Sequence, residues 1–154
     1  MYEKSSPSFL MSIDINPEAC LATKSLLETY TEVINSDLFK SFRKELCFDF
    51  IIFNPPYVAS DEETIRSVLR RGSGNVTYDA CWAGGPNGRF WIDSFITALP
   101  FHLSSRGVAL LLLIEGNKPL EVIENCKKLG LLASVKEQRK CGIERLLILR
   151  ITGI

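Results

Sequence analysis

The residues best suited to chemistry follow an apolar stretch near the middle of the chain. Phe48–Phe53 is apolar apart from Asp49, a pattern typical of a buried strand in a parallel sheet. The next four residues are Asn54-Pro55-Pro56-Tyr57. Because ligands bind at the carboxyl ends of such strands, this tetrapeptide is the first candidate site.

The tetrapeptide suits methylation of a planar NH2 group, as in an amide or an exocyclic amine. Such a nitrogen is a poor nucleophile because its lone pair is delocalised. The Asn54 side-chain oxygen and the Pro55 carbonyl can accept its two N–H bonds, which favours lone-pair build-up toward an electrophilic methyl group. Pro55 and Pro56 fix the backbone that aims these acceptors, and the Tyr57 ring offers a stacking face. We predict Asn54, Pro55, Pro56 and Tyr57 as catalytic residues, of which Asn54, Pro55 and Tyr57 also contact the substrate.

Two acidic residues follow predicted strands earlier in the chain. Asp14 ends the strand at 8–13, where a carboxylate can accept both hydroxyls of a ribose. Asp37 follows the strand at 32–35 and can accept from an adenine amino group. From the residues alone, an acidic side chain that merely complements a helix N-terminus is the favoured explanation of Asp14, and the signal at Asp37 is equally weak.

A third stretch, Trp82-Ala83-Gly84-Gly85-Pro86-Asn87-Gly88-Arg89, combines an aromatic residue with glycines. Two adjacent glycines permit close backbone approach, and Gly88-Arg89 opens a predicted helix. The stretch either walls a substrate pocket, with Trp82 in contact with the substrate, or is simply a turn with a helix cap.

The elements that must position these residues alternate along the chain, which predicts an α/β domain with a mostly parallel sheet. Strands are expected at 8–13, 32–35, 48–53 and 108–114, and an antiparallel hairpin at 133–139 and 144–152. Helices are expected at 17–30 with Asn16 as N-cap, at 39–46, from a capping box at 60–63 to 71, after Arg89, and at 118–129. The expected inward residues are Cys20, Leu26, Leu27, Tyr30, Ile65, Val68, Leu69, Ile92, Phe95, Ile96 and Leu99.

Composition narrows the function classes. The 154 residues are 46% hydrophobic and 23% charged, enough apolar content for one folded domain and too much for a disordered chain. Eighteen basic residues balance eighteen acidic ones, so the chain has no net charge to attract nucleic acid or an anionic membrane. No apolar run approaches the ~20 residues of a membrane span, and no leader is recognisable, so we expect no membrane partner and a cytoplasmic or nuclear protein.

The metal-ligating residue types are sparse. Five cysteines show no C-x-x-C spacing, which favours free thiols used as core fillers and argues against a metal site. The single histidine, His102, excludes mechanisms that need two, and its apolar neighbours favour a packed or surface side chain over a catalytic one. Arg66, Arg70 and Arg71 are expected to form a solvated helix face rather than a binding site for an acidic substrate.

Taken together, these motifs resemble one known family. Asp14-Ile15-Asn16-Pro17-Glu18-Ala19, Asp37-Leu38, Asn54-Pro55-Pro56-Tyr57-Val58 and Ala83-Gly84-Gly85 with Asn87-Gly88-Arg89 resemble the HemK-type protein glutamine methyltransferases. The chain is most similar to the eukaryotic branch that acts on a translation release factor, and the resemblance covers residues 9–151.

The resemblance implies a function, a cofactor and partners. The fold would be the Rossmann-like sheet of class I S-adenosylmethionine (SAM) methyltransferases with a C-terminal antiparallel hairpin. Asp14 would bind the ribose of SAM, Asp37 and Leu38 its adenine, and Asn54 would touch both cofactor and substrate. The substrate would be the glutamine of a Gly-Gly-Gln loop in the release factor, and the partner a small zinc-binding activator subunit.

One departure from the family pattern affects the expected fold. These enzymes begin with a strand and a glycine-rich loop, E-x-G-x-G-x-G, that cradles the methionine part of SAM, and this sequence contains no such loop. We therefore expect a single, N-terminally incomplete methyltransferase domain, residues 1–154, lacking the first strand–helix unit. The lost strand belongs between the strands at 8–13 and 48–53, so apolar surface and strand edges should be exposed. Residues 60–76 also form a longer segment than this branch leads us to expect.

Two other functions stay open. The N-P-P-Y tetrapeptide is shared with adenine N6-methyltransferases that act on DNA or RNA, although the neutral charge disfavours them. The chain could alternatively be a catalytically inactive form that acts only as an interaction module, which the missing glycine loop favours.

Overall fold

The computed structural model describes residues 9–27, 31–71 and 78–154. Two compact units are present. One contains the chain up to Ser41, and the other contains 42–70 and 77–154. The prediction of a single domain stays a prediction, and Tyr30 and residues 72–76 of the predicted insertion lie outside the described residues.

The first unit is a βαβ arrangement. Strand β1 (Leu10–Asp14) leads into helix α1 (Pro17–Leu27), and β2 (Thr31–Asn35) pairs with β1 in parallel, from Leu10↔Thr31 to Asp14↔Asn35. The Asn16 side chain accepts the Glu18 N–H at 2.9 Å, so Asn16 caps the helix as predicted.

Fewer side chains of α1 are buried than the sequence predicts. Cys20 is buried, and its thiol donates to the Asp14 carbonyl at 3.4 Å. The prediction that Leu26 and Leu27 point inward is wrong, since Leu26 is 80% exposed and Leu27 is 42% exposed. At 100° per residue, Leu26 lies about 120° around the helix from Cys20 and so outside the buried face, and Leu27 is the last residue of α1.

The second unit is built on a four-stranded sheet in the order β3-β4-β6-β5. Strand β3 (Phe48–Phe53) runs parallel to β4 (Leu103–Ile114). Strands β5 (Leu131–Cys141) and β6 (Glu144–Gly153) form the predicted antiparallel hairpin, and β6 pairs antiparallel with β4.

Three helices complete this unit: α2 (Glu62–Arg71), α3 (Phe90–His102) and α4 (Pro119–Lys128). Alternate residues of β4 and β6 are buried, so one face of the sheet carries the core. On that face the Phe53 and Phe95 rings lie 4.6 Å apart, which joins β3 to α3. The predicted inward residues of α3 are all buried, as are Ile65 and Val68 of α2, whereas Leu69 is 46% exposed.

On the face of β3 opposite Phe53, two apolar side chains are exposed to solvent. Phe50 is 57% exposed and Ile52 is 70% exposed, and among the described residues β3 is an edge strand of its sheet. The sheet of β1 and β2 is separate. The prediction of a buried central strand at 48–53 is therefore wrong, because one face of β3 and one of its edges are exposed.

Two predictions about helices, the helix at 39–46 and the cap of α2, are wrong because side-chain hydrogen bonds to the backbone differ from those expected. Residues 39–46 form separate turns rather than a helix: the Ser36 hydroxyl accepts the Ser41 N–H at 3.1 Å, which competes with helical bonding. The helix α2 is capped by Asp61 and not by Ser60. The Asp61 carboxylate accepts the Thr64 N–H at 2.7 Å, and this bond lowers the pKa of Asp61.

Candidate functional site

Asn54 directly follows the carboxyl end of β3, whose parallel pairing with β4 ends at Phe53. Phe53 is paired with Leu111 of β4 and packs on Phe95, so the residue before Asn54 is fixed from two sides. Asn54 itself is exposed, while Pro55 is buried. The Asn54 amide has no hydrogen-bond partner among the described residues, so its oxygen is available to a substrate.

The backbone after Asn54 is held by the segment that the sequence analysis singled out around Trp82. Val58 donates its N–H to the Trp82 carbonyl at 3.1 Å, and Gly84 donates to the Val58 carbonyl at 2.7 Å. Ser60 donates to the Gly85 carbonyl, and Gly85 donates in turn to the Ser60 hydroxyl, both at 3.0 Å. This segment is therefore more than a turn with a helix cap: it is the support on which the tetrapeptide rests.

Two glycines allow this close contact. A Cβ atom on Gly84 would lie 2.5 Å from the Pro56 carbonyl oxygen, and one on Gly88 would lie 1.9 Å from the Tyr57 carbonyl oxygen. Gly88 also has a φ of +66°, which L-residues rarely adopt. The predicted close backbone approach is thus confirmed at Gly84 and extends to Gly88.

Arg89 and Trp91 fix the start of α3 beneath this segment. The Arg89 guanidinium is buried, donates to Asp93 at 2.6 and 3.0 Å, and also reaches Glu121 at 3.4 Å. The indole N–H of Trp91 donates to the Ala83 carbonyl at 3.1 Å. Trp82 is half-buried and bonded to Val58 through its backbone, and its predicted contact with substrate stays a prediction.

One residue of the site escapes the sequence analysis. Asn117 ends a short 3-10 turn after β4, is 1% exposed, and donates from its side-chain amide to the Tyr57 carbonyl at 2.8 Å. Nothing in the sequence brings position 117 to position 57, because the contact depends on how the strands pair.

Three of the four predicted cofactor residues, Asp14, Asp37 and Leu38, lie in the first unit, and Asn54 lies in the second. Asp14 is exposed and accepts the Asn16 N–H at 2.7 Å through one carboxylate oxygen, which leaves the other oxygen unbonded among the described residues. Ser36 donates its N–H to the Asp14 carbonyl at 3.0 Å, so Asp14 and Asp37 stand at the same edge of the β1–β2 sheet. The Asp37 carboxylate pairs with Lys40 at 2.5 Å, and Leu38 takes a left-handed φ of 48°.

Several other side chains have structural roles. Arg66 and Arg70 pair with Glu62 and Glu63 on the exposed side of α2, as expected of a solvated helix face. His102 is buried, with Nδ1 3.0 Å from the Leu46 carbonyl.

The five cysteines, all among the described residues, are free thiols. Only Cys20 and Cys126 are buried, so the prediction of core fillers is wrong for Cys47, Cys81 and Cys141. Burial raises the pKa of the Cys126 thiol to about 11. Within the described ranges no cluster of three or more potential metal ligands occurs, and no helix is long and apolar enough to span a membrane.

Comparison with known proteins places these observations in context. No protein-family model matches the chain. Human methyltransferase HEMK2 is 34% identical over 147 residues, covering 92% of this chain and 65% of the human protein. The protein MJ0928 of Methanocaldococcus jannaschii, provisionally named a protein N5-glutamine methyltransferase, is 33% identical over 144 residues, covering 91% of this chain and 68% of its own length. The chain thus spans just under two thirds of the human relative.

The fold has solved counterparts. The E. cuniculi Mtq2–Trm112 complex, described as responsible for methylation of the translation termination factor eRF1, contains a chain with a TM-score of 0.63 to this one. The sequence identity is 22%, and the likeness covers 96% of this chain and 87% of that one. This likeness establishes the class I SAM-methyltransferase fold that the sequence predicts.

Proposed function

Because the chain belongs to the HemK-type methyltransferases, the family of human HEMK2, we propose that it transfers a methyl group from SAM to a planar amide NH2 group. The observation that carries this proposal is the anchored segment after β3. Its backbone is bonded at Tyr57, Val58 and Ser60, while the Asn54 side chain is exposed and unbonded among the described residues. A rigid backbone with one free acceptor is what positioning of an NH2 group needs.

The chemistry of the chain's own residues follows from this arrangement. The Asn54 oxygen accepts one N–H of the substrate amide and the Pro55 carbonyl accepts the other, so the nitrogen lone pair develops as the N–H bonds polarise. The Tyr57 ring offers a face for the flat group. When bound, SAM would supply the electrophilic methyl group and leave as S-adenosylhomocysteine. The nitrogen needs no strong base, because it becomes acidic only as the methyl arrives, and its displaced proton passes to solvent.

The residues proposed for SAM fit it at its nucleoside end. Asp14 has one carboxylate oxygen available for ribose hydroxyls. Asp37, at the same edge of the sheet, pairs with Lys40 through one carboxylate oxygen and can offer its other oxygen to an adenine amino group. Leu38 is next to Asp37 and provides an apolar contact. The methionine end of SAM has no glycine-rich loop to hold it in this sequence.

We propose as substrate the glutamine of a Gly-Gly-Gln loop in a translation release factor. The archaeal relative's name specifies N5-glutamine methylation, and the E. cuniculi complex acts on eRF1. The same complex pairs Mtq2 with Trm112, so a small zinc-binding activator subunit is the proposed partner, and a cytoplasmic heterodimer the proposed working form.

The test is methyl transfer from labelled SAM, with and without the activator subunit, to two acceptors: a release factor and duplex DNA. We expect label on the release factor alone. Label on DNA alone would favour adenine N6-methylation instead. No transfer, together with activator binding and no affinity for S-adenosylhomocysteine, would contradict the enzyme and favour an interaction module.

A further inference from the structure

Asn117 is a buried side chain that joins three separate segments of the second unit. Its Oδ1 accepts the Ile114 N–H at 2.8 Å, and its Nδ2 donates to the Tyr57 carbonyl at 2.8 Å and to the Asn87 carbonyl at 2.9 Å. An asparagine amide has two N–H donors, and both are used here. One amide thus ties the end of β4, the tetrapeptide and the Asn87–Gly88 turn together.

The surroundings leave this amide little freedom. The side chain is 1% exposed. The Arg89 guanidinium lies 3.5 Å from the Asn117 backbone carbonyl, and a Cβ atom on Gly88 would come within 2.4 Å of Asn117 Nδ2. Arg89 is itself held by Asp93 and Glu121. A network of buried, fully bonded polar groups of this kind fixes a single local conformation.

The position of Tyr57 depends on this contact. Pro55 and Pro56 restrict the backbone between Asn54 and Tyr57, so fixing the Tyr57 carbonyl limits where Asn54 and the Pro55 carbonyl can point. Beyond Tyr57 the strand-like bonds of Val58 and Ser60 to Trp82 and Gly85 begin. Asn117 is the one side chain among the described residues that hydrogen-bonds the tetrapeptide's backbone.

We propose that Asn117 is a positioning residue for methyl transfer: its amide aims the acceptors of Asn54 and Pro55 by holding the Tyr57 carbonyl. This inference rests on the function proposed above for Asn54. Asn117 touches neither substrate nor cofactor in this account, so it should affect the rate of transfer and leave cofactor affinity unchanged.

The test compares Asn117→Asp with a matched control, Val122→Ala. The aspartate variant keeps the shape and the acceptor for Ile114 but loses both donors. Val122 is 0% exposed in α4, so its truncation destabilises the same unit without touching Tyr57. Asn117→Ser, which retains one donor, replaces the aspartate variant should that protein not fold.

The measurements are kcat, KM, affinity for S-adenosylhomocysteine, and amide hydrogen exchange at Val58 and Ser60, all below the unfolding temperature of each variant. We expect Asn117→Asp to lower kcat roughly 10- to 100-fold, as a misplacement of the reacting groups does. Affinity for S-adenosylhomocysteine should be unchanged, and the Val58 and Ser60 amides should exchange faster. Val122→Ala should keep the wild-type kcat and the wild-type exchange at these two amides.

An unchanged kcat in Asn117→Asp would overturn the proposal, and so would an equal loss of kcat in Val122→Ala. Should the unsubstituted chain transfer no methyl group to any acceptor, the proposed function fails separately. In that case hydrogen exchange tests whether Asn117 anchors the Tyr57 carbonyl. Unchanged exchange at Val58 and Ser60 in Asn117→Asp would overturn this anchoring, and faster exchange at these two amides, but not elsewhere, would support it.

Discussion

Gly88→Ala should destabilise the second unit far more than the same substitution at Gly130. Both glycines have positive φ angles, +66° and +74°, so each alanine costs about 1 to 2 kcal/mol in backbone strain. At Gly130 the added Cβ meets no atom within 4 Å, so backbone strain is the whole cost of that substitution. At Gly88 the Cβ would lie 1.9 Å from the Tyr57 carbonyl oxygen, a backbone atom that cannot swing away.

The clash should therefore add an overpacking cost of about 1 to 3 kcal/mol at Gly88, for a total of about 2 to 5 kcal/mol. Both tryptophans of the chain, Trp82 and Trp91, lie in the second unit, so their fluorescence during urea unfolding reports on this unit alone. Equal losses of unfolding free energy in the two variants would refute the packing of Gly88 on the tetrapeptide.

Three further predictions concern the core, a thiol and the exposed face of β3. Leu149→Ala, at a fully buried position, should cost about 2 to 5 kcal/mol of unfolding free energy, whereas Leu132→Ala, at a position 58% exposed on the neighbouring strand, should cost much less; similar losses would contradict the assigned core. The raised pKa of Cys126, about 11, means that the folded state holds this proton more tightly than the unfolded chain, so stability should fall as pH rises from about 9 through 11. A pH–stability profile of Cys126→Ala that falls as steeply as wild type would argue against this. Ile52→Lys should leave the unfolding temperature unchanged, because Ile52 is 70% exposed on an edge strand. A marked loss of stability would show that this side chain is covered.

The sequence predicts the elements that carry strong periodicity. The spacing of Ile92, Phe95, Ile96 and Leu99 in α3 and the C-terminal hairpin appear as expected, because burial on one face imposes the period. The strand at β3 also forms, but its uniformly apolar sequence does not reveal that one of its faces is exposed. The helix expected at 39–46 fails because the Ser36 hydroxyl offers the backbone an alternative partner, which periodicity does not register.

The candidate site is only half readable from the sequence. Asn54–Tyr57 stands out because an apolar strand ends in rigid and polar residues. The support of this tetrapeptide by Gly84, Gly88 and Asn117 depends on tertiary packing, since Asn117 is 60 residues from Tyr57 along the chain. Glycine residues indicate from the sequence that another backbone approaches closely, but a single asparagine after a strand does not indicate which segment it contacts.

In the proposed reaction, Asn54 accepts a hydrogen bond from the substrate's NH2 group during methyl transfer. The most direct measurement is the rate of methyl transfer to the release factor by Asn54→Ala, with Asn125→Ala on α4 as the control, beside the affinity of each variant for S-adenosylhomocysteine. We expect Asn54→Ala to abolish transfer and largely to keep its affinity for S-adenosylhomocysteine, while Asn125→Ala resembles wild type. Full activity in Asn54→Ala would contradict the role proposed for Asn54.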